Sequence, residues 1–340
     1  MCRLFAYIGK EPCLLEDVLV LPKHAISKQV NEHYLPEILH NHTHTTQEKR
    51  EAEVRNKLLN VDGYGLSWYT RARSDFGECD GPRPCTYHSV RPPINDTNFK
   101  RICANTASCT LFAHIRAATG VTKVVETNNH PFEFGRHLFM HNGSVAHFGD
   151  IKREILNKIS NESYNNIYGT TDTEHVAALY FTYLGDFQAE HSLEEMKVAM
   201  LKTLNDLNTM INKFVQNTRG SISEDERAEE CASSLNLVTT DGKKLLCTRF
   251  RSHATQQPPS LYYSTKAGIR LNRKYPGDPD SPSVVNEKAL KSADEHSRHV
   301  IVASEPSTYE VSEWKLIKKN YMLCVDDNIV VSEELIELDH

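Results

Sequence analysis

Met1-Cys2-Arg3-Leu4-Phe5-Ala6-Tyr7-Ile8-Gly9 opens the chain, and the rest of the sequence is read outward from it. The unbroken apolar run after Arg3 predicts a buried strand over residues 1–9. An initiator Met followed by a residue as small as Cys is removable. Its removal leaves Cys2 with both a thiol and a free α-amino group. The thiolate is the reactive form, and a thiol with its ordinary pKa of about 8.5 needs activation. An α-amino group titrates near ~7.7–8.0, so at neutral pH a useful fraction is neutral and can accept the thiol proton. Nucleophile and base then sit in one residue. Taken alone, Cys2 reads equally as a small buried residue.

At 340 residues, with 39% hydrophobic and 25% charged residues, the composition is that of a soluble globular protein. No run approaches the roughly eighteen apolar residues of a membrane span. No basic segment leads into an apolar stretch with a small-residue cleavage site at the start, so a cytoplasmic protein is expected. A net charge of −6 argues against a nucleic-acid partner. Nine cysteines without a secretory signal are expected to be mostly reduced thiols. The Cys79/Cys85 and Cys103/Cys109 spacings are wider than zinc ribbons use, and His40-Asn41-His42-Thr43-His44 reads as a solvated loop. No metal is expected.

A turn followed by an alternating strand is expected over Val61–Tyr69, and further strands at Thr110–Arg116, Leu138–His141, Leu235–Thr239, Lys244–Phe250, Leu261–Ser264, Val300–Ser304 and Tyr321–Val325. Leu14–Leu21 continues the first strand as helix or strand. Helices are expected at Glu48–Leu59, Thr173–Leu184, capped by Asp172 or Thr173, and Leu193–Phe214. Strands and helices mix without regular βαβ alternation, which predicts an α+β fold. A single domain over 1–340 is expected, with polar loop excursions near 33–60, 70–100, 217–232 and 272–298.

Four segments beyond Cys2 carry chemistry-bearing residue types. Arg116, leaving a strand in His114-Ile115-Arg116-Ala117-Ala118-Thr119-Gly120, can clamp a carboxylate bidentately, or serve as a structural Arg. Asn128-Asn129-His130-Pro131-Phe132 can shape a pocket wall. His141-Asn142-Gly143-Ser144 reads first as a hairpin turn, but a side-chain amide and an unhindered backbone N–H are also a good oxyanion donor pair. Asp172, in Gly169-Thr170-Thr171-Asp172-Thr173-Glu174, can cap a helix and can equally pair with an ammonium group.

The order Cys2, Asp62-Gly63-Tyr64-Gly65, Arg116, Asn142-Gly143, Asp172 resembles the class II glutamine amidotransferases, N-terminal nucleophile hydrolases with a Cys nucleophile. The resemblance implies a four-layer αββα sandwich of two largely antiparallel sheets between helical layers. It implies that Cys2 attacks an amide and that Asn142 and Gly143 form the oxyanion hole. Arg116 would hold the substrate α-carboxylate and Asp172 its α-amino group. Thr119 and His130 would also line that pocket. Many members carry an aromatic residue where this chain has Ala117, which leaves the amide substrate open.

Met1-Cys2-Arg3-Leu4-Phe5-Ala6-Tyr7, Asp62-Gly63-Tyr64-Gly65 and Val302-Ala303-Ser304-Glu305-Pro306 with Trp314 resemble one subfamily. It includes the amidotransferase-like subunit of the fungal glutathione-degradation complex and the bacterial γ-glutamyl hydrolase of ergothioneine synthesis. This implies glutathione as substrate, cleaved through a thioester to glutamate and cysteinylglycine. It also implies a metallopeptidase-domain partner subunit and no cofactor. The alternatives are glutamine or another amide as substrate, or a catalytically silent γ-glutamyl-binding subunit.

Overall fold

The computed structural model describes residues 2–29, 62–118, 122–220, 222–275, 284 and 286–338. In chain order the elements begin with β1 (Arg3–Leu14), α1 (Leu15–Leu19), β2 (Tyr64–Thr70), α2 (Ala72–Asp75), β3 (Arg83–Ser89), α3 (Thr97–Asn105) and β4 (Ala107–Ile115). Next come β5 (Phe132–Phe134), β6 (His137–Ser144), α4 (Phe148–Lys158), α5 (Asn161–Tyr164), α6 (Asp172–Leu184), α7 (Leu193–Arg219) and α8 (Glu224–Glu230). The remainder holds β7 (Ser234–Thr240), β8 (Leu245–Arg251), β9 (Tyr262–Ser264), α9 (Ala267–Leu271), β10 (His299–Ala303), β11 (Lys315–Leu316), β12 (Tyr321–Val325) and β13 (Val331–Leu335). Two compact units result. The first is Met1–Arg71, Cys85–Pro131 and Leu261–Leu316; the second is Ala72–Pro84, Phe132–Ser260 and Ile317–His340.

The sheet of the first unit has seven strands in the order β11-β9-β10-β1-β4-β2-β3. β1 is central, antiparallel to both β10 and β4, and Leu4 to Ile8 are buried on both faces. A doubly buried strand reads as a continuous apolar run rather than an alternating one, as the opening segment does. Phe5 and Tyr7 pack with Leu15, Val18, Leu19, Phe99, Cys103 and Leu271 in one core. β1 runs five residues beyond the expected strand, with a register shift between Ile8 and Cys13.

The sheet of the second unit has six strands in the order β13-β12-β8-β7-β6-β5. Ten of the thirteen residues of α6 are buried, which makes it the central helix of this core. On it converge Met196, Met200, Leu204, Leu207 and Ile211 of α7, together with Phe139, Leu235, Leu246 and Met322 of the sheet. Ser192 and Glu195 close a capping box at the start of α7, satisfying N–H groups that the helix itself cannot.

The α+β class with two antiparallel sheets is as expected, and several local readings change. Asn142-Gly143 is no hairpin turn: β6 runs through it, pairing Asn142 with Asn236 and Gly143 with Leu235. Sheet pairing here overrides a local turn preference. The N-cap of α6 is Thr171, whose side chain accepts the Glu174 N–H, and Asp172 is the first helical residue. α7 extends to Arg219, beyond the expected Phe214. The polar excursion near 70–100, expected to be a loop or long hairpin, holds α2 and β3, with β3 beside β2 in the sheet as in the hairpin alternative, while α3, α4, α5, α9, β5, β11 and β13 are additional. α8 lies within the polar excursion expected near 217–232. The His40–His44 run, the helix expected over Glu48–Leu59, and Thr119 lie outside the described residues.

Candidate active site

The first unit brings Cys2, Arg116 and the 128–131 loop close to one another. Cys2 immediately precedes β1 and is half-buried. Arg3 donates through Nη1 to the Cys2 carbonyl at 3.3 Å, and its other terminal nitrogen pairs with Glu305 at 2.9 Å. The Ser304 hydroxyl accepts the Leu4 N–H at 3.0 Å, and the Ser304 N–H returns a bond to the Leu4 carbonyl at 3.0 Å. Ser304-Glu305 therefore fixes the strand that starts at the thiol. Burial pushes the Glu305 carboxyl above its ordinary range, opposed by the Arg3 guanidinium.

On the other side, the Ala117 N–H donates to Cys2 Sγ at 3.3 Å. Bonds beyond the ends of β2 and β4 flank this amide. Arg116 N–H donates to the Gly63 carbonyl at 2.9 Å, Asp62 N–H donates to the Arg116 carbonyl at 3.3 Å, and Asp62 Oδ2 accepts the Ala118 N–H at 2.7 Å. Gly63 has φ +111°, and a Cβ there would collide with the Ser89 carbonyl and the Asn129 amide. Glycine is required at that position.

The Arg116 side chain is 4% exposed. Its Nη1 donates to the Lys123 carbonyl at 3.0 Å, and Asn128 Nδ2 donates to the same oxygen at 2.9 Å. Neighbouring Asn129 donates to the Ser89 carbonyl at 3.0 Å. The His130 ring is buried and lies 4.1 Å from that of His114, centroid to centroid. His88, with its pKa lowered by burial, donates Nε2–H to the Pro131 carbonyl at 3.0 Å.

In the second unit, Asn142, Gly143 and Asp172 are brought together where β6 ends and α6 begins. Asp172 Oδ2 accepts the Val145 N–H at 3.0 Å, and Oδ1 accepts the Thr173 N–H at 2.8 Å. A carboxylate in the first turn also faces the positive end of the helix dipole. Asn142 is 1% exposed, whereas Gly143 and Ser144 are exposed. A Cβ on Gly143 would overlap the Ser234 carbonyl and His141 Nε2. The two partners of that overlap are themselves bonded, since His141 Nε2 lies 2.9 Å from the Ser234 carbonyl. A carbonyl only accepts, so Nε2 carries the hydrogen, and Nδ1 accepts from the Thr173 hydroxyl at 3.1 Å. Burial lowers the His141 pKa, in keeping with this neutral tautomer.

Sequence reasoning passed over the supporting residues: Asp62 and Glu305 as holders of the 116–118 segment and of Arg3, and Thr173 and Ser234 as partners of His141. Asp62 and Glu305 stood inside quoted motifs, but no local pattern marks a bond across fifty or three hundred residues. Among the described residues no group of three or more His, Cys, Asp or Glu side chains is placed to hold a metal ion. None of the described cysteines forms a disulfide. Among the described residues no helix is long and apolar enough to cross a membrane.

Comparison with solved structures identifies the fold. The chain aligns over 99% of its length with the whole of a glutamine aminotransferase class-II domain protein from Silicibacter pomeroyi, with TM-score 0.53 and 17% identity. It aligns over 99% of its length with half of the B. subtilis glutamine phosphoribosylpyrophosphate amidotransferase, with TM-score 0.50 and 13% identity. The chain shares the fold of these two solved structures. No family model matches the sequence. A curated relative, the Saccharomyces cerevisiae protein named Probable glutamine amidotransferase DUG3, is 29% identical over 345 residues, an alignment covering 99% of this chain and 85% of that protein.

Proposed function

We propose that this chain is a γ-glutamyl amide hydrolase with Cys2 as nucleophile, acting on glutathione in the cytoplasm as one subunit of a complex. The observation that carries the reading is the Ala117 N–H directed at Cys2 Sγ, one residue from the buried Arg116 guanidinium. An N–H aimed at sulfur favours the thiolate, and it lies nearer than the Ala117 carbonyl, which at 3.6 Å can accept only from the thiol.

The roles follow from each residue's chemistry. Arg116 takes the α-carboxylate of the γ-glutamyl head, and Asp172 its ammonium. With Met1 removed, the Cys2 α-amine accepts the thiol proton and the sulfur bonds to the γ-carbonyl carbon. The Asn142 side-chain amide and the Gly143 N–H stabilise the resulting oxyanion; losing one such donor typically costs about 10²–10³ in rate. The amine then returns its proton to the leaving nitrogen, the C–N bond breaks, and a γ-glutamyl thioester remains. Water cleaves the thioester, releasing glutamate and regenerating the thiol. From glutathione the leaving product is cysteinylglycine, which suits a metallopeptidase-domain partner that cleaves dipeptides. The role of Thr119 as a further wall of the head-group pocket, and that of His130 on the buried 128–131 loop, belong to the same proposal.

The test is glutamate release from glutathione and from glutamine, by the chain alone and with the metallopeptidase subunit. Glutathione cleavage lost in Cys2→Ala supports the reading. Glutamine turned over as well as or better than glutathione by the chain alone would replace it with a glutaminase-type activity.

A further inference from the structure

We infer that Asp62 is the positioning residue that sets the reactivity of Cys2, acting through the Ala117 amide. The inference rests on the reading of Cys2 as nucleophile and adds to it a residue that does not itself touch the sulfur.

The geometry has three parts. Asp62 Oδ2 holds the Ala118 N–H at 2.7 Å. The Asp62 N–H holds the Arg116 carbonyl at 3.3 Å, and the Gly63 carbonyl holds the Arg116 N–H at 2.9 Å. These bonds grip the chain on both sides of Ala117 while leaving its own N–H to donate to Cys2 Sγ at 3.3 Å. Residues 116–118 follow the end of β4, so the strand ladder alone does not fix the direction of that amide. The side chain of Asp62 does. A carboxylate is suited to the task because a charged acceptor makes a shorter, stronger bond to a backbone N–H than a neutral one.

Among the described residues the charged groups of this region are Asp62 itself, Arg116, Arg3 with its partner Glu305 and, once Met1 is removed, the α-amine of Cys2. Asp62 could act on the thiol in two opposing ways. Its negative charge, acting through space, would disfavour the thiolate. Its hold on the Ala117 amide would favour it. The geometry points to the second, because the carboxylate oxygen is spent on the Ala118 N–H and the Ala117 N–H, at 3.3 Å, lies nearer the sulfur than the Ala117 carbonyl, which at 3.6 Å can accept only from the thiol.

The experiment is the pH profile of Cys2 alkylation by iodoacetamide on the full chain, followed at the Cys2 peptide by mass spectrometry. Asp62→Ala removes the acceptor, and Asp62→Glu keeps the charge while displacing the acceptor by one methylene. In both, the profile is expected to move up by about one pH unit, so that alkylation near neutral pH slows about tenfold. Asp62→Asn retains a carbonyl oxygen at the same place and should stay within about threefold of wild type. An unchanged profile in Asp62→Glu, or faster alkylation in Asp62→Asn, would overturn the inference. Should Asp62→Ala not fold, the Glu and Asn variants still decide. Alkylation needs no substrate, so the profile stands apart from glutamate release. Shifted profiles without γ-glutamyl hydrolysis in the wild type would sink the proposed activity and leave Asp62 as the positioning residue.

Discussion

Asp172 and Val145 are joined: carboxylate Oδ2 accepts the Val145 N–H at 3.0 Å, tying the first turn of α6 to the chain just beyond Asn142-Gly143-Ser144. Its second oxygen accepts the Thr173 N–H, so one side chain both holds a first-turn N–H of α6 and anchors the exit of β6. Asp172→Asn keeps a single acceptor for two donors and loses the charge at the helix N-terminus. Stability should fall by about 1 kcal/mol, and by ~1–3 kcal/mol in Asp172→Ala, where both buried N–H groups lose their partner. Thermal or urea unfolding reads this. If the carboxylate also grips the substrate ammonium, KM for the γ-glutamyl substrate should rise at least tenfold in Asp172→Asn, far more than that small stability change accounts for.

Gly143→Ala tests the strand reading of the Asn-Gly pair. The added Cβ meets the Ser234 carbonyl and His141 Nε2, two atoms already bonded to each other and so unable to give way independently. The expected cost is about 2 kcal/mol or more, with a lowered urea midpoint. A variant as stable as wild type would mean that β6 and β7 do not pair this closely at Gly143.

The parts of this fold legible in the sequence are those whose burial leaves a long pattern. β1 reads as an apolar run because both its faces are buried, and α6 and α7 read from apolar residues at helical spacing. The helices α3 and α4 each bury little more than an i, i+4 pair, Phe99 with Cys103 and Ile151 with Ile155, too sparse a signal to separate from a loop. The residues of the proposed function could be picked out as residue types in order: Cys2, Arg116, Asn142, Gly143 and Asp172 each stand at or near the end of an element. What could not be read were the partners. The Lys123 carbonyl under Arg116, Asp62 beneath Ala118 and Ser234 against His141 are contacts made by the tertiary fold.

The buried histidines set the acid limit of stability. Burial lowers both His137 and His299 to about 4. His299 Nε2 accepts the Gly268 N–H at 2.9 Å, a bond that protonation would abolish. A folded-state pKa below the unfolded value of about 6.5 means that the unfolded chain binds more protons between those two values. The stability from these groups is therefore complete above about pH 6.5 and is lost as pH falls toward about 4, at up to ~1.4 kcal/mol per pH unit for each. Urea midpoints measured across that window should drop with acidification, and His299→Gln should flatten part of the slope. A midpoint independent of pH over the window would count against neutral burial of these rings.

The Arg116 guanidinium donates to a carbonyl that a second side chain shares. Its Nη1 and Asn128 Nδ2 both donate to the Lys123 carbonyl, at 3.0 and 2.9 Å. In Arg116→Lys the carbonyl keeps the Asn128 donor, so the stability change should be small, about 1 kcal/mol. What is lost is the planar fork, which a single ammonium cannot reproduce against a carboxylate. The expected result is a KM for γ-glutamyl substrates raised at least tenfold, with kcat changed less, because head-group binding is shared by the ground and transition states. Asn128→Ala separates holding from binding. It leaves the guanidinium as donor to Lys123 and should cost ~1–2 kcal/mol of stability with a smaller rise in KM. Steady-state kinetics on the two variants, beside their unfolding midpoints, should therefore show opposite rankings. Equal KM values in Arg116→Lys and wild type would remove Arg116 from the substrate site and leave it a structural residue.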